Sequence, residues 1–279
     1  MAFCTISSII TAEEDLEHVL SNAMIIARGA DAHLDVLCLG LDRTQPGFYY
    51  AGASAVVFQD NLAQAHEAAE QLESKARSFL ANSDLNWSAT GVTAQAVVLN
   101  GLIAHRTRFA DLVVLPRPYG DGHRHEHEAI VEAALFNGNV PVLILPDGHV
   151  FPDKVKKIVL AWNDSAEALR AARAALPFLQ AADDVCITII DPPSHGPDRS
   201  DPGGALSQML ARHGVNAEVS VLARSMPRVS DILNRHVTDK GADMVVMGAY
   251  GHSRFREAIM GGATRHMLEL AEVPVLMTH

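Results

Sequence analysis

The chain is short of cysteine, of aromatic residues, of positive charge and of long apolar runs, and each shortage removes a class of protein. Three cysteines are present, Cys4, Cys38 and Cys186; the number is odd and no two form a C-x-x-C pair. Each lies in an apolar, strand-like run, so buried reduced thiols are expected rather than a disulfide framework. Cys4 and Cys38 fall on what read as neighbouring strands. Lys and Arg number 22 against 33 Asp and Glu, for a net charge of -11. Sequence-independent binding to nucleic acid needs cations that displace counterions, so neither nucleic acid nor an anionic membrane surface is an expected partner. No apolar run approaches the ~20 residues of a membrane span. The start, M-A-F-C-T-I-S-S-I-I, has no basic stretch before Glu13 and Glu14, so no secretory leader and a cytoplasmic location are expected. Aromatic residues make up 5%, and the pair Tyr49-Tyr50 falls in a Gly- and Ala-rich loop where packing is the expected role.

What is present is a repeat. Apolar residues are 48% of 279, enough to build one large or two ordinary cores. Ala110 to Leu115 reads A-D-L-V-V-L, and Ala242 to Met247 reads A-D-M-V-V-M. V-P-V-L occurs at Val140 and again at Val273. The offsets, 132 residues from Ala110 to Ala242 and 133 from Val140 to Val273, mark one duplicated domain rather than a short-period solenoid. The pattern predicts two domains, 1–148 and 153–279, joined by the turn-rich stretch Pro146-Asp-Gly-His-Val-Phe-Pro152.

Strand and helix signals alternate in each half. Strands are expected at 3–10, 34–41, 87–97, 112–115 and 142–145, then at 157–162, 185–191, 217–223, 244–247 and 275–277. Helices are expected at 12–28, 61–80 and a short stretch through Ile103, then at 166–179, 205–213, 229–240 and 264–271. Short apolar strands separated by helices imply parallel sheets covered on both faces. The fold class is therefore α/β, two tandem doubly wound five-stranded sheets of Rossmann-like type, with ligands expected at the carboxyl ends of the strands.

The second half carries Gly248-x-x-Gly251, nine further residues, then Gly261 and Gly262, set between an apolar strand and the start of a helix. Glycines let backbone approach a phosphate closely, and the free amides of a helix start favour an anion. With the first strand I-V-L-A-W-N-D-S and the final V-P-V-L, this motif resembles the universal stress protein family, and the repeat extends the likeness to the whole chain as a tandem two-domain member. The resemblance implies an adenine nucleotide α hydrolase-like fold, with domains paired pseudo-symmetrically through their final strands, Val140 to Leu145 and Val273 to Met277. It also implies a cytosolic stress-response protein that binds ATP or another adenine nucleotide in its second domain, with a regulatory role and at most weak hydrolysis. The residues it implicates are Asn163, Asp164, Ser165, Ile189, Ile190, Gly248, Gly251, Gly261, Gly262 and Thr264. Asn163 stands where ATP-binding members carry Asp, and Gly262 where they carry Ser or Thr; Arg254 and Arg265 are nearby cations.

The first half has no such loop. Counting back from Pro141 puts Glu128, Ala129 and Val131 in place of Gly261, Gly262 and Thr264, Pro116-Arg-Pro replaces the first glycines, and about Ile9 replaces Asn163. A carboxylate at a phosphate position repels the ligand, so the first domain reads as a non-binding copy. Its loop G-H-R-H-E-H-E brings His123, His125 and His127 together, which keeps a metal or small-ligand sensor as an alternative. A second alternative is an interaction module that binds no nucleotide, its two domains an internal pseudo-dimer. A homodimer and an unnamed protein partner stay open.

Overall fold

The computed structural model describes residues 3–42, 55–120, 125–192, 201–249 and 262–279. The chain divides into two compact units. The first takes Phe3–Pro116 and His125–Val140; the second takes Pro141–His279 together with Arg117–Arg124. The fifth strand of the first copy thus belongs to the second unit.

The first unit holds β1 (Thr5–Ile10), α1 (Glu13–Ala30), β2 (His33–Asp42), α2 (Ala55–Leu80), β3 (Trp87–Gln95), α3 (Ala96–Thr107), β4 (Leu112–Pro116) and α4 (His125–Glu132). Its strands run parallel in the order β3-β2-β1-β4. β1 and β4 are buried almost throughout, as strands covered on both faces must be. α1 begins with Glu13, Glu14 and Asp15 and ends with Arg28, charges that complement its dipole. From His125 the histidine stretch is helical, and α4 continues into a π-helical turn at Ala133–Gly138.

The second unit holds β5 (Val142–Leu145), β6 (Lys157–Ala161), α5 (Ala166–Ala174), α6 (Leu176–Ala181), β7 (Asp184–Ile190), α7 (Gly204–Arg212), β8 (Ala217–Leu222), α8 (Val229–Lys240), β9 (Met244–Gly248), α9 (Gly262–Leu270) and β10 (Val275–Thr278). The order is β5-β10-β9-β6-β7-β8, parallel except that β5 runs antiparallel to β10. Val275, Leu276 and Met277 face Ile144, Leu143 and Val142, so the two V-P-V-L segments pair with each other. This pairing covers an apolar edge that would otherwise invite aggregation. The single helix expected over 166–179 is two helices, because Pro177 lacks the amide needed to continue the first.

One polar clamp recurs. Asp111 Oδ2 accepts the amides of Cys4 and Thr5 at 2.7 and 3.0 Å. Asp243 Oδ2 accepts those of Lys156 and Lys157 at 2.7 and 2.9 Å. The Asp of the repeated A-D-x-V-V thus ties the entry of one strand to the start of its neighbour in both units. Cys4 is exposed, a correction to its expected burial, because it lies at the open entry of β1; Cys38 and Cys186 are buried. Cys38 pairs with Ile10, at the far end of β1 from Cys4. Burial pushes the Cys38 thiol up to about 12, with the Glu73 carboxylate adding to it.

Candidate functional site

In an open parallel sheet the binding crevice lies beyond the carboxyl ends of the strands, where the winding direction reverses. In the second unit β7 and β8 lie on one side of β6, and β9 and β10 on the other. The reversal falls between β6 and β9. Asn163, Asp164 and Ser165 follow β6, and Gly248 ends β9.

The turn after β6 is built from its own side chains. Asp164 adopts a left-handed conformation at φ 58. The Ser165 amide donates to Oδ1 of Asn163 at 3.3 Å, and Ser165 Oγ accepts the Ala168 amide at 3.1 Å to cap α5. Short polar side chains form such turns and caps because they replace missing backbone partners. Asn163 and Asp164 are exposed and Ser165 is half-buried. With Oδ1 holding the turn, the Nδ2 donor is what Asn163 offers a ligand, where an Asp would offer charge.

Gly248 lies against this turn. A Cβ there would come within 2.5 Å of the Ala168 nitrogen and 2.8 Å of the Glu167 carbonyl carbon. Thr278, paired with Gly248 in β10, donates its hydroxyl to the Glu167 carbonyl at 3.1 Å. The bare Cα therefore lets the first turn of α5 rest on the end of β9. Gly248 has a packing role that the reading from sequence, which gave it only to phosphate, missed.

On β7 the two isoleucines differ. The Ile189 side chain is buried, and its Cδ1 lies 2.9 Å from the place of a Cβ on Gly203. It belongs to the core under α7. The Asp191 amide goes to the Leu222 carbonyl on β8, whereas Trp162, just past β6, donates to the Thr188 carbonyl. By alternation the backbone of Ile190 turns towards β6, past its last rung at Ala161↔Thr188. That is the geometry in which main-chain groups meet a ligand's edge.

Gly262 and Thr264 lie in the first turn of α9. Gly262 is exposed, and no described atom lies within 4 Å of where its Cβ would be. Among the described residues, none crowds the place of a side chain there. Thr264 is 4% exposed and turns inward. Gly251 and Gly261 lie outside the described residues, as do Tyr49, Tyr50, His123, His252, Ser253 and Arg254. Arg265 is engaged locally: its Nε donates to Glu269 Oε1 at 2.8 Å, and its guanidinium stacks 4.9 Å from the Tyr119 ring centroid. The Arg265 hydrogen bond, with His266 adding to it, holds the Glu269 carboxyl below its ordinary value against the opposing effect of burial.

The same end of the first unit is closed by its own side chains. Ile6 faces Leu112 as Ile158 faces Met244, so the residue matching Asn163 is Thr11, not Ile9. Thr11 Oγ1 shares a hydrogen bond with Nε2 of His127 at 3.0 Å, and that ring lies 3.4 Å from Asp15. His127 is 6% exposed and committed to these partners.

Residues 154–279 match the sequence model described as the universal stress protein family. In its second half the chain is similar to universal stress protein domains. A curated relative, the universal stress protein Slr1230 of Synechocystis sp. (strain ATCC 27184 / PCC 6803 / Kazusa), is 27% identical over 145 residues. That match covers 49% of this chain and 46% of the relative, so the chain spans about half the length of that universal stress protein. Among solved structures, a universal stress protein from Archaeoglobus fulgidus DSM 4304 superimposes with a TM-score of 0.71 at 14% identity, over 99% of this chain and 96% of that one. A functionally unknown protein from Pseudomonas aeruginosa PAO1 gives 0.58 at 16%, over 99% and 92%. At such identities the likeness is one of fold: Rossmann-like, α/β, with mostly parallel sheets.

Proposed function

We propose that the universal stress protein-like domain of the second unit binds an adenine nucleotide, ATP or ADP, and that the bound ligand regulates the protein rather than feeding a metabolic reaction. One observation supports this reading above the others. The exposed Asn163-Asp164-Ser165 turn, the outward-turned backbone of Ile190 and the end of β9 at Gly248 share the carboxyl edge of the sheet at its winding reversal. Asn163 and the Ile190 backbone are suited to a nucleoside, and the glycine loop and α9 amides to phosphates. The first unit is the non-binding copy, since His127 spans from α4 to Thr11 and Asp15 at its corresponding edge.

The test is nucleotide release and ligand-linked stability. Denatured protein is expected to yield ATP, ADP or AMP on anion exchange. A ligand at about 100 times its Kd stabilises by roughly 2.7 kcal/mol, so millimolar ATP is expected to raise Tm by several degrees. Gly251→Glu, which sets a carboxylate in the loop, is expected to abolish that rise. No released nucleotide together with no shift at millimolar ATP refutes the proposal.

A further inference from the structure

The loop that lost its glycines in the first copy has acquired a grip on the second. Pro116-Arg-Pro-Tyr119 stands where Gly248-Ala-Tyr-Gly251 stands in the repeat. Arg117 and Tyr119 belong to the second unit, and both reach α9, the helix that Gly262 and Thr264 begin.

Arg117 holds the carboxyl end of that helix. Its Nη1 donates to the Glu269 carbonyl at 2.8 Å, among the last carbonyls of α9, which have no partner inside the helix. A guanidinium there also complements the helix dipole. Arg117 is itself fixed: its amide donates to Leu145 on β5 at 3.0 Å, and its Nε faces Asp147 at 3.5 Å. Its side chain is 18% exposed, so solvent screens the charge only in part. Tyr119 holds the helix nearer its start. The buried ring receives the Arg265 guanidinium at 4.9 Å, a cation–π contact that the Glu269 carboxylate steadies from the other side. The two contacts, one near each end, fix both the advance and the rotation of a nine-residue helix.

We infer that Arg117 and Tyr119 are positioning residues that hold α9 in place, so that the degenerate loop of the first copy sets the ligand affinity of the anion site in the second. The affinity half of this inference rests on the proposed nucleotide function; the positioning half does not.

Hydrogen exchange of the full-length chain tests the positioning half without any ligand. In Arg117→Ala, Tyr119→Ala and Arg265→Ala, the amides of Gly262–Leu270 are expected to exchange roughly tenfold faster, while those of α5 and α8 keep their wild-type rates. Arg265→Ala removes the stack from the exposed side and leaves the buried ring in place, so it remains informative if the other two variants misfold. Tyr119→Phe keeps the ring and is expected to exchange as wild type does. Calorimetry with ATP tests the other half: Tyr119→Ala is expected to bind roughly tenfold more weakly and Tyr119→Phe as wild type. Unchanged α9 exchange in all three alanine variants overturns the inference, as does acceleration shared equally by α5 and α8. Wild-type protein that binds no ATP refutes the nucleotide function and leaves the positioning of α9 to be decided by exchange alone. Wild-type binding with unaltered affinity in Tyr119→Ala overturns the coupling.

Discussion

The two copies agree at one end of their strands and differ at the other. At the amino ends, Asp111 and Asp243 make the same pair of bonds to the same pair of backbone amides. At the carboxyl ends, the second copy presents an exposed turn and a glycine packed on α5, whereas the first presents Thr11 bound to a buried His127. The helix before the third strand also differs, 26 residues in α2 against nine in α7. A duplicated α/β domain keeps the bonds that start its strands, because every copy must fold. The loops beyond the strands carry no such burden, and they are free to take on other work.

That contrast can be broken most sharply at Gly248. Gly248→Val drives a branched side chain into the backbone of Glu167 and Ala168, and is expected to cost roughly 3 kcal/mol, read from urea midpoints. Gly262→Val, at a position that meets no described atom, is expected to stay within about 0.5 kcal/mol. Comparable losses in the two would show that Gly248 has no special packing role. Next come the clamps. Asp111→Ala and Asp243→Ala each remove two backbone hydrogen bonds and are expected to cost about 1–2 kcal/mol, with similar values for the two. A large inequality would mean that the copies are not equivalent even at their amino ends.

A smaller effect follows pH and arises in the second copy. Burial, with Lys240 adding to it, pushes the His236 imidazole below its ordinary value of 6.5. The ring lies 3.6 Å from Cys186 Sγ. Because the unfolded chain takes up this proton more readily than the folded one, stability is full above pH 6.5 and declines as pH falls below it. His236→Gln is expected to flatten that decline in a pH series of urea midpoints; an unchanged slope would assign it to other groups. The smallest effect is kinetic. A thiol reagent is expected to modify Cys4 at once and the buried Cys38 and Cys186 only as fast as the protein opens. Three equal rates would contradict the burial of the last two.

Most strands were legible in the sequence because short buried apolar runs have few alternatives. Val142–Leu145 and Val229–Lys240 fall where the pattern put them. The helix starting at His125 was not legible, since alternating His and Glu suit a helix, an extended segment or a polar loop alike. The exposed turn at Asn163 was legible from residue type and from the strand before it. The contact of Gly248 with α5 was not, because a glycine at a strand end reads the same whether it leaves room for a ligand or for a helix. Arg117 and Tyr119 gave a weak signal, an Arg in place of Ala249 and a Tyr in place of Gly251. Nothing along the chain pointed to α9 as what they hold.

By itself the sequence determined the duplication, the α/β class and which copy kept the glycine loop. These are properties of local pattern and of one half set against the other, and both can be read along the chain. Only the tertiary structure decided the antiparallel register of the two V-P-V-L strands, that His127 closes the first copy, and that the first copy's loop grips the helix of the second. Each of these joins residues far apart in the chain, and the choice of partner depends on which surfaces the finished fold brings within a few ångströms.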